Sequence, residues 1–294
     1  MSQLIHVQHQ SEIASLRVTL ENLTEQLDFT KGVIPAVDRC FDNQETTNGH
    51  CSTHGDYTQV RIWMEFRGRV SDKRSRCPDC IATDIQKCNS ALNDLIVASL
   101  LEDARIAPRF EHCCFDNFEA VTEGAKRNLS LMKSYAEAWP EVSEKGSSLI
   151  LMGRCGTGKN HLAVSLARQL IERHHATVCI TSVMRIIRAI KRSWGRNADI
   201  TEDEVIDYYV NRDLLIVDEV GIQFGSETEK ILLFDIVNTR YELMKPTVLI
   251  SNLTLSEVAQ AIGERLVDRM AEGEGATLVF DWESYRNRSG VTNV

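Results

Sequence analysis

The run Gly153-Arg154-Cys155-Gly156-Thr157-Gly158-Lys159-Asn160 follows an apolar stretch at 148–152 and precedes a helix-like stretch at 161–172. Strand, glycine-rich loop, helix is the setting in which backbone N–H groups turn inward to cradle phosphate oxygens. Gly153, Gly156 and Gly158 permit the turn, with Thr157 inside it. Lys159 reaches the β- and γ-phosphates, and the helix behind the loop aims its positive dipole end at them. Asn160 stands where Ser or Thr ordinarily offers Mg²⁺ a hydroxyl. Its carbonyl oxygen can still ligate the ion or orient one of its waters. A plain glycine-rich turn with a solvated Lys159 is the alternative, and it leaves the downstream residues unexplained.

Downstream, Leu214-Leu215-Ile216-Val217 runs into Asp218-Glu219. In open α/β sheets ligands bind at the carboxyl ends of strands, so both acids would face the loop. Asp218 would hold Mg²⁺, directly or through water, and Glu219 would polarise the attacking water as general base. A second apolar run, 247–251, ends at Asn252, either a water-orienting residue or a turn asparagine. Arg265 and Arg269 are four apart and share a helix face. They are either solvated charges or, in a nucleotide-dependent oligomer, the source of an arginine finger reaching a neighbouring subunit. Such a finger raises rate by ~10³–10⁵.

A different chemistry is spelled by Cys51-Ser52-Thr53-His54 and Cys77-Pro78-Asp79-Cys80. Two pairs of ligands, each with two residues between, make chelating knuckles, and Cys₃His is a tetrahedral structural zinc set. Cys40, His50 and Cys88 compete for membership on spacing alone. Tyr57, Val60, Ile62 and Trp63 between the knuckles predict a short hairpin over the metal. Finally, Arg185, Arg188 and Arg192 line one face of the stretch 183–194, with Lys191 beside it and Trp194 at its end. A basic amphipathic helix with an aromatic fits single-stranded nucleic acid, and it also fits an ordinary solvated face.

The elements that must position these groups alternate. Strand candidates at 148–152, 176–181, 214–217, 247–251 and 277–280 interleave with helix candidates at 161–172, 183–194, 229–244 and 255–270. That order predicts an α/β fold with a parallel sheet between helices. Upstream, Ile85, Leu92, Leu95, Ile96 and Leu100 recur at helical spacing within 81–103, and Pro108 lies beyond the end. Residues 32–49 are polar and rich in turn formers, and predict a linker. Ile13, Leu16, Leu20, Leu23 and Leu27 alternate spacings of three and four, a heptad-like seam on one helix. A helix this short is marginal alone in water. It needs a partner: the rest of the chain, another copy or a different protein.

The expected organisation is an N-terminal helix (1–31), a zinc-binding segment with connecting helix (32–103) and a larger nucleotide domain (104–294). A net charge of −9 excludes a wholly basic nucleic-acid binder and confines any such contact to a local patch. The absence of an apolar run of spanning length or a signal-peptide pattern predicts a cytoplasmic chain with no membrane partner. Nine cysteines, an odd number, are then read for metal before disulfide.

The segments GRCGTGKNHLA, LLIVDEVG, LISNLT, GERLVDRM and FDWESYRNR, in that order, resemble DnaC-type bacterial helicase loaders, which are AAA+ P-loop ATPases of the initiator clade. The resemblance spans about residues 104–288, and the Asn after the P-loop lysine is also seen in such loaders. The Cys/His segment ahead of the core is similar to phage and prophage versions. The family implies that an N-terminal region docks on a replicative DnaB-type helicase. It also implies that the AAA+ domains self-associate on ATP and engage single-stranded DNA, and that the helicase is thereby placed on the strand during replication initiation. Lys159, Asp218, Glu219 and Asn252 then serve ATP and Mg²⁺, and Arg269, with Arg265 second, is the finger. The stretch 183–194 corresponds to the insertion that faces DNA. The family further implies weak, switch-like ATP turnover. An IstB-like transposition helper and an ATP-binding adaptor without useful hydrolysis are the alternatives. The FDWESYR tail and the Cys/His segment favour the loader over the first, and the intact Asp218-Glu219 pair argues against the second.

Overall fold

The computed structural model describes residues 2–196, 198–221, 227–272 and 274–285. The chain divides into two compact units, residues 1–99 and 100–294.

The first unit opens with helix α1 (Ser2–Thr30). A three-stranded antiparallel meander follows: β1 (Asn43–Cys51), β2 (Gly55–Phe66) and β3 (Arg69–Arg74), in the order β1-β2-β3. Helix α2 (Pro78–Asp103) runs from its end. The leucine seam finds its partner within this unit. Leu16, Leu20, Leu23 and Leu27 pack on Ile81, Ile85 and Cys88 of α2. Phe29, Val60 and Ile62 form a second small cluster beneath the meander. The expected linker at 32–49 is corrected: its last residues, from Asn43, form β1, and the expected hairpin is a three-stranded sheet. The sequence NQETTNGHC carries no apolar alternation, and no residue of β1 is buried. The strand exists because every residue from Asn43 to Cys51 pairs with β2.

The second unit begins with helices α3 (Glu123–Glu137) and α4 (Trp139–Lys145). Then come β4 (Leu149–Gly153), α5 (Lys159–His174), β5 (Val178–Ser182), α6 (Val183–Ser193), α7 (Glu202–Val210), β6 (Leu214–Asp218) and α8 (Glu227–Glu242). The unit closes with β7 (Thr247–Ser251), α9 (Leu255–Ile262), α10 (Glu264–Ala271) and β8 (Ala276–Phe280). The five strands form one sheet, β5-β6-β7-β4-β8, all pairs parallel. The apolar runs of β6 and β7 are buried, as central parallel strands covered on both faces must be, whereas the edge strand β8 buries Leu278 and Phe280 and leaves Val279 exposed. The order sets β6, β7 and β4 side by side, so their carboxyl ends deliver Asp218, Asn252 and the glycine-rich loop to one edge. The single helix expected over 255–270 is instead two, α9 and α10. Gly263 between them has φ 97 and ψ 137, a conformation that ends the first helix and that a side chain disfavours.

At the opposite edge of the sheet, Arg240 of α8 is fully buried. Its guanidinium donates to Thr247 Oγ1 and to the carbonyls of Tyr209, Val210, Arg212 and Pro246. Burial pushes its pKa down to about 9, which leaves it charged at neutral pH.

Candidate functional site

Three glycines shape the loop after β4. Gly153 (φ 128) lies so close to β8 that a Cβ would stand 2.2 Å from the Phe280 carbonyl oxygen, and a Cβ on Gly158 (φ 96) would meet the Phe118 ring at 2.6 Å. Only glycine fits either place. Lys159, 6% exposed, folds back over the loop and donates to the carbonyls of Gly153 and Arg154, each at 2.7 Å. Thr157 Oγ1 donates to the Arg154 carbonyl as well, at 2.7 Å.

The acids at the end of β6 are held by short contacts. Asn160 Nδ2 donates to Asp218 Oδ2 at 2.7 Å, and the Glu219 N–H donates to Asp218 Oδ1 at 2.7 Å. Glu219 has φ 60, the left-handed region that a residue with a side chain enters at a cost of ~1–3 kcal/mol. The neighbouring strand fixes the chain just beyond it: the Val220 N–H bonds the Ile250 carbonyl at 3.0 Å, and Ser251 Oγ bonds the Val220 carbonyl at 2.7 Å. A cavity of about 580 Å³ joins the loop residues 155–161 with Asp218, Glu219 and Asn252. Its remaining wall includes Phe118 and Val121 from the segment before α3, and Trp282 and Tyr285 from the segment after β8. Spacing alone marked neither segment as lining the site. Residues 286–288 of the closing motif lie outside the described residues.

A second cavity, about 370 Å³, shares Asn160, Asp218 and Glu219 with the first and is lined on its far side by Arg105, Arg185 and Arg188. The structure thus divides the basic patch of α6. Arg185, Arg188 and Arg192 are exposed, whereas Lys191 bonds the buried Glu229 at 2.8 Å. Trp194 is 51% exposed, and its indole N–H donates to Glu202 at 2.5 Å. On α10, Arg265 is exposed, while the Arg269 guanidinium lies over the Tyr241 ring, 5.0 Å from its centroid. The two expected fingers therefore share a helix but not an environment.

In the first unit the four expected metal ligands converge. Cys51 and His54 bracket the β1–β2 turn, and Cys77 and Cys80 stand at the start of α2. Cys51 Sγ lies 3.5 Å from Cys80 Sγ, and His54 Nδ1 lies 3.6, 3.6 and 3.3 Å from the sulfurs of Cys51, Cys77 and Cys80. All four ligand atoms fall within 4.8 Å of one another. The competitors are engaged elsewhere or apart: His50 bonds Asp56, Cys88 bonds the Leu16 carbonyl, and Cys40 is exposed. Backbone N–H groups of Thr53 and His54 pull the Cys51 thiol down to about 6, and the neighbouring Cys51 pushes Cys80 up to about 11. Thiols this close resist ionising together unless a cation balances them. The donor set fits zinc in type, number and mutual distance.

Comparison with known proteins agrees with this geometry. A family model described as IstB-like ATP binding protein matches residues 99–290. The chain is 36% identical over 183 residues to the replicative helicase loader DnaC of Escherichia coli (strain K12), covering 62% of this chain and 73% of that protein. It is 32% identical over 224 residues to the DnaC loader of Buchnera aphidicola subsp. Schizaphis graminum, covering 76% and 84%. A crystal structure of the DnaC helicase loader superimposes with a TM-score of 0.53 at 22% identity, over 60% of this chain and all of that one, which establishes the shared fold. Among the described residues no helix is long and apolar enough to cross a membrane. The chain belongs to the IstB-like ATP-binding family of AAA+ proteins that includes the DnaC replicative helicase loaders.

Proposed function

We propose that this protein binds the replicative helicase of its cell and delivers it onto single-stranded DNA, using ATP as a switch with slow turnover. The observation that carries this reading is the similarity to named helicase loaders over 73–84% of their lengths, supported by one cavity lined by the glycine-rich loop, Asp218, Glu219 and Asn252. Bound Mg²⁺ would neutralise charge on the β- and γ-phosphate oxygens. Asp218 and Asn160 are its holders: the Asn160 amide donates to Asp218, so its own carbonyl oxygen stays available as an acceptor. Lys159 donates to phosphate oxygens from its place beside the Gly153 and Arg154 carbonyls, Glu219 takes the proton of the attacking water, and Asn252 orients that water. Arg269, with Arg265 second, reaches a neighbouring copy's nucleotide in an ATP-dependent assembly. Zinc, held by Cys51, His54, Cys77 and Cys80, plays a structural part because four protein ligands close its coordination. The chain then works as three parts: residues 1–31 dock the helicase, 32–103 form the zinc-binding segment with its connecting helix, and 104–294 carry ATP and DNA.

Light scattering on a mixture with the host's replicative helicase tests the central claim. The expected result is a discrete ATP-sensitive complex heavier than the helicase alone. Its absence with ATP, with ADP and without nucleotide would refute the loader reading and shift the assignment to an IstB-like transposition helper.

The exposed face of α6 is the proposed DNA contact, and its nearness to Glu219 through the smaller cavity gives DNA a short route to the hydrolytic residue. Each phosphate contact with a single strand contributes about 0.7 to the slope of log affinity against log salt. Changing Arg185, Arg188 and Arg192 together to Ala is therefore expected to flatten that slope by about two. Fluorescence anisotropy with a labelled oligonucleotide reads it, and an unchanged slope would remove α6 from the interface.

A further inference from the structure

A phosphate-binding loop works only if its peptide N–H groups point at the ligand, and something must hold them there. A trans peptide is planar, with its carbonyl and the following N–H on opposite sides. Pinning a carbonyl outward therefore turns the next N–H inward. The carbonyls of Gly153 and Arg154 are pinned by Lys159 and Thr157, and that of Gly158 by the Leu162 N–H in the first turn of α5. Two peptide units in the middle of the loop, Gly156–Thr157 and Thr157–Gly158, are held by neither lysine nor helix.

Both are held by the segment that follows β8. The Tyr285 N–H donates to the Gly156 carbonyl at 2.8 Å. Trp282 Nε1–H donates to the Thr157 carbonyl at 3.1 Å, across 125 residues of chain. Those two bonds set the N–H groups of Thr157 and Gly158 facing away from the strap, on the other side of the loop. The strap itself is anchored at both ends. Its start continues β8, which pairs with β4 up to Gly153↔Phe280. The Trp282 ring packs against Phe280, with centroids 5.0 Å apart, and against Gly124. At its far end Tyr285 OH donates to Glu119 Oε1 at 2.8 Å. Nothing in the glycine-rich motif encodes this support.

We infer that residues 281–285 form a positioning strap for the nucleotide site, in which Trp282 and Tyr285 preset the Thr157 and Gly158 N–H groups for the phosphates of a nucleoside di- or triphosphate. The inference rests on reading the loop as the ATP site. Preset dipoles bind without the cost of being ordered on arrival. The same N–H groups serve ground state and transition state alike, so the strap governs affinity rather than the chemical step.

The test replaces Trp282 in the full chain with its benzothiophene isostere, which keeps the bicyclic ring and deletes only the N–H. Release of mant-ATP and mant-ADP is followed by stopped flow, and KM and kcat by phosphate release. One hydrogen bond of ordinary strength corresponds to about a two- to twelvefold change. Release of both nucleotides is expected to quicken by that factor and KM for ATP to rise with it, while kcat stays as in the natural chain and the nucleotide-free melting temperature falls by no more than the few degrees (about 2–4 °C per kcal/mol) that one hydrogen bond supports. Trp282→Phe, and separately a chain ending at Asp281, should weaken mant-nucleotide binding in the same direction, the truncation more. Unchanged release and KM in the isostere, with the natural chain binding mant-ATP normally, would overturn the strap alone. A natural chain that binds no mant-ATP would overturn the ATP site and the strap with it.

Discussion

Changing Glu219 to Gln is expected to cut ATP turnover by ~10²–10⁴-fold while ATP still binds. The substitution keeps shape and removes only the ability to accept a proton. The backbone around position 219 is unusually constrained: its N–H is held by Asp218, the next residue is tied to β7 by two hydrogen bonds, and φ stands at 60. A carboxylate so placed cannot be replaced by a nearby acid that swings in, because Asp218 is already bonded to Asn160 and to the Glu219 N–H. Phosphate release measures the rate, and equilibrium binding of a labelled ATP measures the retained affinity. Turnover within tenfold of the natural protein would remove Glu219 from the role of base. Mixing Glu219→Gln with Arg269→Ala chains places an intact base opposite an intact finger at a share of interfaces. Recovered hydrolysis in the mixture is the expected sign that Arg269 acts across subunits, and no recovery would strike that assignment out.

The second large effect concerns the first unit. Its apolar clusters are small, and β1 buries none of its residues. Zinc would supply what the core does not: in small metal-dependent domains, binding contributes about 10–16 kcal/mol of apparent folding free energy at neutral pH. One zinc per chain is expected by elemental analysis, lost in Cys77→Ser and retained in Cys40→Ser. Chelation should open the meander to protease while the nucleotide domain stays resistant. Protein from zinc-replete medium with no bound zinc, or a meander equally resistant after Cys77→Ser, would refute the structural role.

The two units were unequally readable from sequence, for physical reasons. A parallel strand buried on both faces must be an apolar run, so residues 214–217 and 247–250 announced themselves, and the polar residues at their ends had one place to go. In the meander only β2 buries apolar residues, Val60 and Ile62, which is why a hairpin was legible there, whereas β1 and β3 bury none and are held by cross-strand pairing, which leaves no periodic trace. The paired spacing of Cys51, His54, Cys77 and Cys80 singled out the four residues that the fold gathers, and proximity was needed only to set aside Cys40, His50 and Cys88. Helix α7, by contrast, carried a readable mark that went unused: Thr201 and Glu204 form a capping box, with the Glu204 carboxyl held below its usual range by the Thr201 N–H and hydroxyl. The break at Gly263 shows the reverse, a glycine whose effect depends on its backbone angles and not on its neighbours. Trp282 and Tyr285 reach the loop through an indole N–H and a backbone N–H, so only the folded chain reveals what they hold.

Arg240 has a mechanical meaning. Its buried guanidinium ties together the end of α7, the lead-in to β6 and the lead-in to β7. Pulling any one of them away strands a charge among apolar side chains and leaves carbonyls without donors, a loss far larger than a single bond. There the lead-ins to β6 and β7 are riveted to each other and to the end of α7. The phosphate loop, the acids and helix α6 all sit at the other edge, where the joints are turns and helix starts. Parting β6 from β7 at their amino ends therefore means unseating a buried charge.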